Sequence, residues 1–356
     1  MDFGLSEDQS LFQEALRGFL SEHCPVDRVR RAIDDGDARP DDLVAGLAAQ
    51  GVAGILVPEE FGGSGLGLLD AAIAAEELGR AAAPFTGHSA FVCAPVAIAS
   101  AGDDAQKSEW LPRIASGESI VSFADGAPEI VGGTLNGSVT FVPDAMTAEA
   151  FVLVCGAGDA TRMVLLPRTT PGLTAEPMVA VDETRRVGEL SFDGVQVDAS
   201  NELSSADATV AIERTLDAGR IALAADALGS VDRTLSDAVE YALQRKQFGR
   251  VIGSFQAVKH MCAEVYAAAE PLRALLWYAA FSWDEGYPDA HETALLLKAE
   301  ATEVATDGVR TSVEVFGGMG FTWECDVHLW FKRAGYDRQV LGGPEELRRA
   351  AVAERL

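Results

Sequence analysis

The sequence predicts a multidomain α+β chain in three successive parts: an N-terminal helical domain over residues 1–118, a small middle β-domain over 119–203 and a C-terminal antiparallel helix bundle over 204–356. Apolar residues recur at helical spacing from Ser6 to about Gly117, short β-branched runs take over between Ser119 and about Val197, and the helical period returns after "DASNELSSAD" and persists to the end. A period near 3.6 puts one apolar stripe of a helix against a core, whereas β-branched and aromatic runs bounded by Gly, Asn, Asp and Pro suit strands and turns.

Each element has its local reason. "SEDQSLFQEALRGFLSEH" opens with Ser6 and Gln9 at capping-box spacing. Met1 to Leu20 carries Asp2, Glu7, Asp8 and Glu14 through its apolar positions, which reads as an amphipathic helix and not as a signal peptide. "FGGSGLG" (Phe61 to Gly67) misses GxGxxG spacing and follows no βαβ pattern, so it reads as a turn before the helix "LLDAAIAAEELGRAAAP". In the middle, "SIVSFAD", "SVTFVPD", "FVLVC" and "RMVLLPR" read as strands, and "LNGS" as a turn. Beyond them a long helix is expected from about Asp207 to Gln247, a second from about Ser254 to Trp283, and a third beginning at "PDAHE", where Asp289 and Glu292 have capping-box spacing; Pro271, Pro288 and Pro344 are the expected interruptions. Long helices joined by short connections make a bundle.

The 356 residues suffice for two or three domains of about 150 residues each. Asp and Glu outnumber Lys and Arg by 55 to 28, a net charge of −27 that repels nucleic acid and acidic membranes; with 48% hydrophobic and 23% charged residues this is a property of a folded surface and not of disorder. The five cysteines are scattered and form no CxxC pair, which suits thiols in a reducing compartment and predicts a cytoplasmic protein, and no apolar run approaches membrane-spanning length. The five histidines lack HxxxH or HExxH spacing, so no metal is expected. No GxSxG or kinase-type signature is present.

One segment runs against the global charge. "YALQRKQFGRVIGSFQAVKH" gathers Arg245, Lys246, Arg250 and Lys259 where the long helix is expected to end at Gly249 and the next to begin near Ser254. Side-chain charge and the N–H groups of a helix start can meet the same anion there, with Phe248 and Phe255 as walls; cations solvated at a helix C-terminus are the plain alternative. A second stretch, "EVFGGMGFTWECDVHLW", closes the third helix with Gly317 and Gly318, which permit close backbone approach to a ligand or simply cap the helix.

"RKQFGRVIGSFQAVKHMCAE" and "FGGMGFTWECDVHLWFKRA" resemble the C-terminal signature of the acyl-CoA dehydrogenases, which use FAD to oxidise an acyl-CoA thioester to the 2,3-enoyl-CoA. "VPEEFGGSGLGLLDAAIAAEELGRA", "QKSEWLPRIASGE" and "DETRRVGELSFDGV" extend the resemblance over nearly the whole chain. It implies that Arg245, Gln247, Phe248 and Gln256 reach across a subunit interface to the pyrophosphate and adenosine half of a neighbour's FAD, with Glu314, Gly317 and Gly318 at the same cofactor. An arginine fork suits a diphosphate and keeps its charge when desolvated.

The same resemblance exposes departures. The family's catalytic carboxylate usually lies just before the last helix, and here the matching position is Gly342, or Leu341 or Gly343 with a one-residue slip. Its alternative place on the long helix, just before an arginine, holds Gly219 before Arg220. The TEPxxGSD-like loop is replaced by "SFADGAPEIVGGTLNGSVTFVPD", and Glu314 stands where a glutamine is usual. No catalytic residue is therefore expected in this chain, Glu345 being the fallback base beside Glu346. Three readings follow: a non-catalytic subunit of a heterotetrameric dehydrogenase whose related partner binds most of the acyl-CoA and supplies the base; a self-sufficient homotetramer using Glu345; and a structural member without cofactor. The acyl group is not specified, and steroid side-chain degradation is one setting the family offers.

Overall fold

The computed structural model describes residues 4–36 and 40–355; Met1, Asp2 and Phe3, part of the expected first helix, lie outside the described residues. Six N-terminal helices come first: α1 (Glu7–His23), α2 (Val26–Asp34), α3 (Asp41–Ala49), α4 (Leu68–Arg80), α5 (Ala94–Ala101) and α6 (Asp104–Ala115). Strands β1 (Val121–Ala127), β2 (Ile130–Val131), β3 (Thr134–Pro143), β4 (Ala150–Cys155), β5 (Arg162–Pro167), β6 (Leu173–Met178) and β7 (Val187–Gln196) follow. The C-terminal part holds α7 (Ala208–Gln244), the short strands β8 (Lys246–Gln247) and β9 (Arg250–Val251), then α8 (Gln256–Glu285), α9 (Ala290–Phe316), α10 (Val327–Gln339) and α11 (Pro344–Ala353). Helical, β and helical parts thus succeed one another as the periodicity predicts. Among the described residues no helix is long and apolar enough to cross a membrane.

The chain packs into two compact units, one made of the chain up to Arg30, Ala72–Ala83 and Arg220 onward, the other of Arg31–Ala71 and Pro84–Gly219. In the second unit β1, β4 and β5 form one sheet, with β1 and β4 parallel, and β2, β3, β7 and β6 form an antiparallel sheet in that order. Every residue of β4 is buried, which explains its unbroken apolar run. The "FGGSGLG" turn forms as expected: Gly62 has φ +81° and a Cβ on Gly63 would stand 2.0 Å from the Val57 carbonyl oxygen. The "LNGS" expectation fails. Those residues lie inside β3, where the pairing with β7 slips between Leu135 and Gly137; the turn before β3 uses Gly132 and Gly133 instead. Gly137 (φ +113°) is spent on a bulge, and the Asn136 side chain accepts a 2.8 Å hydrogen bond from the Gly194 amide across the sheet.

In the first unit the Ser6 capping box forms, with the Gln9 amide donating to Ser6 Oγ at 3.1 Å and the Ser6 amide to Gln9 Oε1 at 3.0 Å. Helices α4 and α7 approach at two glycines: a Cβ on Gly79 would lie 2.1 Å from the Asp226 carbonyl oxygen, and one on Gly229 would lie 1.9 Å from that of Glu76. Helix α9 is the spine against which α8, α10 and α11 all pack. Pro271 does not interrupt α8, because Leu272 and Leu276 on its C-terminal side are buried and this packing offsets one lost backbone bond. The Asp289 cap is also corrected: the residue precedes α9 but makes no side-chain cap, since its carboxylate accepts a 2.7 Å hydrogen bond from the Tyr278 hydroxyl.

Candidate functional site

The long helix ends at Gln244, earlier than Gly249, and the basic segment is a β-hairpin in which Lys246 pairs with Val251 and Gln247 with Arg250. Both turn residues, Phe248 (φ +50°) and Gly249 (φ +78°), have positive φ, the geometry of a two-residue hairpin turn. Glycine adopts it freely, but an aromatic residue there is strained. The Phe248 side chain is 92% exposed, so the strain secures no burial within this chain. Its ring meets Phe255 edge-on at 6.2 Å, and the Arg250 guanidinium lies 4.1 Å from the centroid of Phe255.

Arg245, Gln247 and Gln256 are all exposed. Gln256 is the first residue of α8, and Phe255 ahead of it provides no side-chain cap. Ala238, Ala242 and Val315 form a small core that Ile252, Val258, Met261, Cys262 and Phe316 extend, and Tyr241 packs on Phe316 with ring centroids 4.7 Å apart. This core holds the end of α7, the hairpin and the start of α8 against the end of α9, so the two sequence stretches singled out earlier are neighbours. Glu314 is exposed at that end, Gly317 (φ +65°) terminates α9, and Gly318 borders open space.

The connection from α10 to α11 is the other candidate locus. Leu341 (φ +57°) and Gly342 (φ +104°) both have left-handed backbone, and a Cβ on Gly342 would stand 2.7 Å from Leu347 Cδ2. The loop is fastened by its carbonyls. Arg220 Nε donates to Leu341 O at 3.2 Å, and Lys298 Nζ donates to Gly342 O at 2.5 Å and Arg338 O at 3.1 Å. Lys298 is fully buried, and that burial pushes its amine down to about 7. Sequence reading missed it because a lysine inside "ALLLKAEA" looks like one solvated turn of a helix. Glu345 lies in the first turn of α11 with its side chain 82% exposed and is paired with Arg349 one turn on; Glu346 is exposed as well. Gly219 is buried in α7. In the β region, the residues replacing the hydroxyl-bearing loop continue β1, with a slip in register between Ala124 and Ala127 and Gly126 at φ +85°. All five cysteines are free thiols, and burial pushes Cys24 up to about 11 and Cys155 up to about 12.

Residues 6–118 match the acyl-CoA dehydrogenase N-terminal domain and residues 208–356 the acyl-CoA dehydrogenase C-terminal domain. The chain belongs to the acyl-CoA dehydrogenase family. It is 32% identical to the acyl-CoA dehydrogenase IpdE2 of Mycobacterium tuberculosis over 98% of this chain and 97% of that one. A chain of the ChsE4-ChsE5 complex from Mycobacterium tuberculosis has the same fold with a TM-score of 0.91 at 26% identity, covering 100% of this chain and 99% of that one. A chain of the Tcur3481-Tcur3483 steroid ACAD G363A variant gives a TM-score of 0.89 at 28% identity, covering 98% of each.

Proposed function

We propose that this chain is the non-catalytic subunit of a heteromeric, FAD-dependent acyl-CoA dehydrogenase of the cytoplasm, working beside a related chain that binds most of the acyl-CoA and carries the base. The loop from Leu341 to Gly343 carries this reading. The reaction needs a carboxylate within hydrogen-bond reach of the substrate α-carbon. The matching position is a glycine whose left-handed backbone strains any longer side chain and where a Cβ would press on the Leu347 side chain. Glu345 is a solvent-facing residue paired with Arg349, as expected of an acid in the first turn of a helix, so the self-sufficient reading is the weaker one.

The hairpin supports retention of a cofactor role. An exposed guanidinium at Arg245, the amides of Gln247 and Gln256 and a strained, exposed ring at Phe248 stand beside an α8 start without a side-chain cap, a donor set that fits a diphosphate joined to an adenosine. Such strain persists when it serves a site. Bound flavin would take the β-hydride; the contribution of this chain is to hold the ADP half of the neighbour's cofactor. The exposed carboxylate of Glu314 faces the same end of the bundle and is the one feature that favours a structural subunit without cofactor. The steroid dehydrogenase and the two-component complex among the similar structures favour a steroid-derived acyl thioester and a paired assembly.

Expression decides between the readings. Alone, the chain is expected to be colourless and poorly assembled; co-expressed with a related dehydrogenase chain it should yield a yellow complex with equal numbers of both chains and one FAD per pair. A yellow, active homotetramer with one flavin per chain would refute the proposal.

A further inference from the structure

Arg250 follows the hairpin turn at Phe248 and Gly249, and the role proposed for the hairpin makes no use of it. The register pairs Arg250 with Gln247, so these two side chains leave the ribbon on the same face, whereas the next pair, Lys246 and Val251, leaves it on the other. Arg245 shares the face of Gln247 two residues on, and its carbonyl extends the ladder by accepting a 2.8 Å hydrogen bond from the Ile252 amide. The face that carries Arg245 and Gln247 therefore presents a second guanidinium.

The exposed Arg250 guanidinium has its central carbon 4.1 Å from the centroid of the Phe255 ring. A separation this short places the group over the face of the ring, because van der Waals contact at the rim keeps a carbon roughly 5 Å or more from the centroid. Phe255 is half-buried just ahead of α8, and the Phe248 ring meets it edge-on at an interplanar angle of 89°. The three groups make an open corner, with Phe255 and the guanidinium upon it as floor and Phe248 as wall. Among the described residues no carboxylate pairs with Arg245, Lys246, Arg250 or Lys259, in contrast to Arg338 and Arg348, which are held by Glu303. In a chain with 55 acidic residues, these neighbouring cations keep their charge free for a ligand.

We propose that Arg250, seated on Phe255, recognises the adenine of the nucleotide whose diphosphate Arg245 holds; this rests on the reading of the hairpin as the holder of a neighbour's ADP half. A guanidinium lying on an aromatic ring has used one of its two flat faces, and the other stacks on a further π system as arginine does on bases. The purine is flat and uncharged, so it gains from that face and from the positive charge beneath its ring, whereas a diphosphate needs the in-plane N–H fork that exposed, unpaired Arg245 offers on the same side of the ribbon. A lysine at position 250 would keep the charge but has no flat face. The left-handed backbone at Phe248 gains a reason here, since this turn stands one ring at right angles to the other and closes the side of the corner.

The test is calorimetric titration of the flavin-depleted two-chain complex with ADP and with ribose 5-diphosphate, which lacks only the base. ADP is expected to bind the wild type more tightly, and equal binding of the two overturns the proposal without recourse to any variant. Arg250→Lys should weaken ADP about threefold to thirtyfold and leave ribose 5-diphosphate unchanged, while Arg245→Ala should weaken both about tenfold or more. An Arg250→Lys complex that binds ADP as the wild type does, or that loses both ligands equally, overturns the adenine assignment and leaves the hairpin reading standing. If neither ligand binds the wild type, or Arg245→Ala binds both unchanged, the hairpin reading itself falls and takes this proposal with it.

Discussion

Arg333 shows how much a single residue can carry. Fully buried, it forms two 2.7 Å bonds to the Asp226 carboxylate and donates at 2.9 Å to the Ala83 carbonyl. Arg333→Met removes one partner and strands a buried carboxylate, so a loss of about 3–5 kcal/mol is expected in urea unfolding, partly recovered by adding Asp226→Leu. Lys298 is the opposite case, a buried amine whose charge the nearby Asp337 carboxylate and the carbonyls of Arg338 and Gly342 offset only in part. Its folded value of about 7 lies below the ordinary lysine value of 10.5. Between these values the unfolded chain holds a proton that the folded chain has released, so the penalty for burying the charge is fully present below pH 7 and is relieved as pH rises toward 10.5. A neutral amine still has two N–H groups for the carbonyls of Arg338 and Gly342. The wild type should therefore gain thermal stability relative to Lys298→Met as pH is raised from 7 to 9, and a flat difference would count against the shift. At the fallback base, Glu345→Gln should leave the rate of the complex unchanged, where loss of a true base would cost about 10²–10⁴-fold.

At the scale of elements, two contacts set how α4 and α7 can meet. The chain uses Gly79 and Gly229 at the crossing because any Cβ would penetrate a facing carbonyl oxygen. Gly229→Val should destabilise by about 1–3 kcal/mol or more, read as a fall in melting temperature without loss of helix content. The hairpin between α7 and α8 behaves differently, because its geometry includes strain. A phenylalanine at φ +50° is disfavoured by roughly 1–2 kcal/mol, while asparagine tolerates the left-handed region. Phe248→Asn is expected to hold or raise the stability of the chain while lowering flavin retention in the complex. If stability falls and flavin stays, the ring serves the fold and not a ligand.

For the whole molecule, the net charge of −27 means that any bound diphosphate is held locally against an unfavourable field. Arg245→Ala should remove a charge-assisted contact of about 1.5–3 kcal/mol and strip flavin from the assembled complex during gel filtration, with the ratio of subunits unchanged. Unchanged flavin content would sink the assignment of the hairpin to a neighbour's cofactor. The charge also explains why Arg245, Lys246, Arg250 and Lys259 stand out in the sequence: a cluster that opposes the background is visible in one dimension because all four fall close together along the chain, three of them between α7 and α8 and Lys259 at the start of α8.

What the sequence by itself determined is whatever depends on neighbours along the chain or on the identity of one position. Helical periods placed the helical, β and helical parts in order, Ser6 and Gln9 announced their capping box, and Gly219 and Gly342 offer no carboxylate at the two positions to which the family resemblance assigns a base, since glycine has no side chain. Tertiary structure decided everything that required a partner distant in sequence. Asn136 and Gly137 carry the local chemistry of a turn, yet β7 recruits them into a bulged strand, and Tyr278 takes the Asp289 carboxylate that the capping spacing reserved for α9. Burial of Lys298 and its bonds to the carbonyls of Arg338 and Gly342 are equally unreadable in one dimension. Charge and hydrogen-bond partners act through distance in space, and side chains separated by scores of residues become neighbours only when the helices that carry them pack.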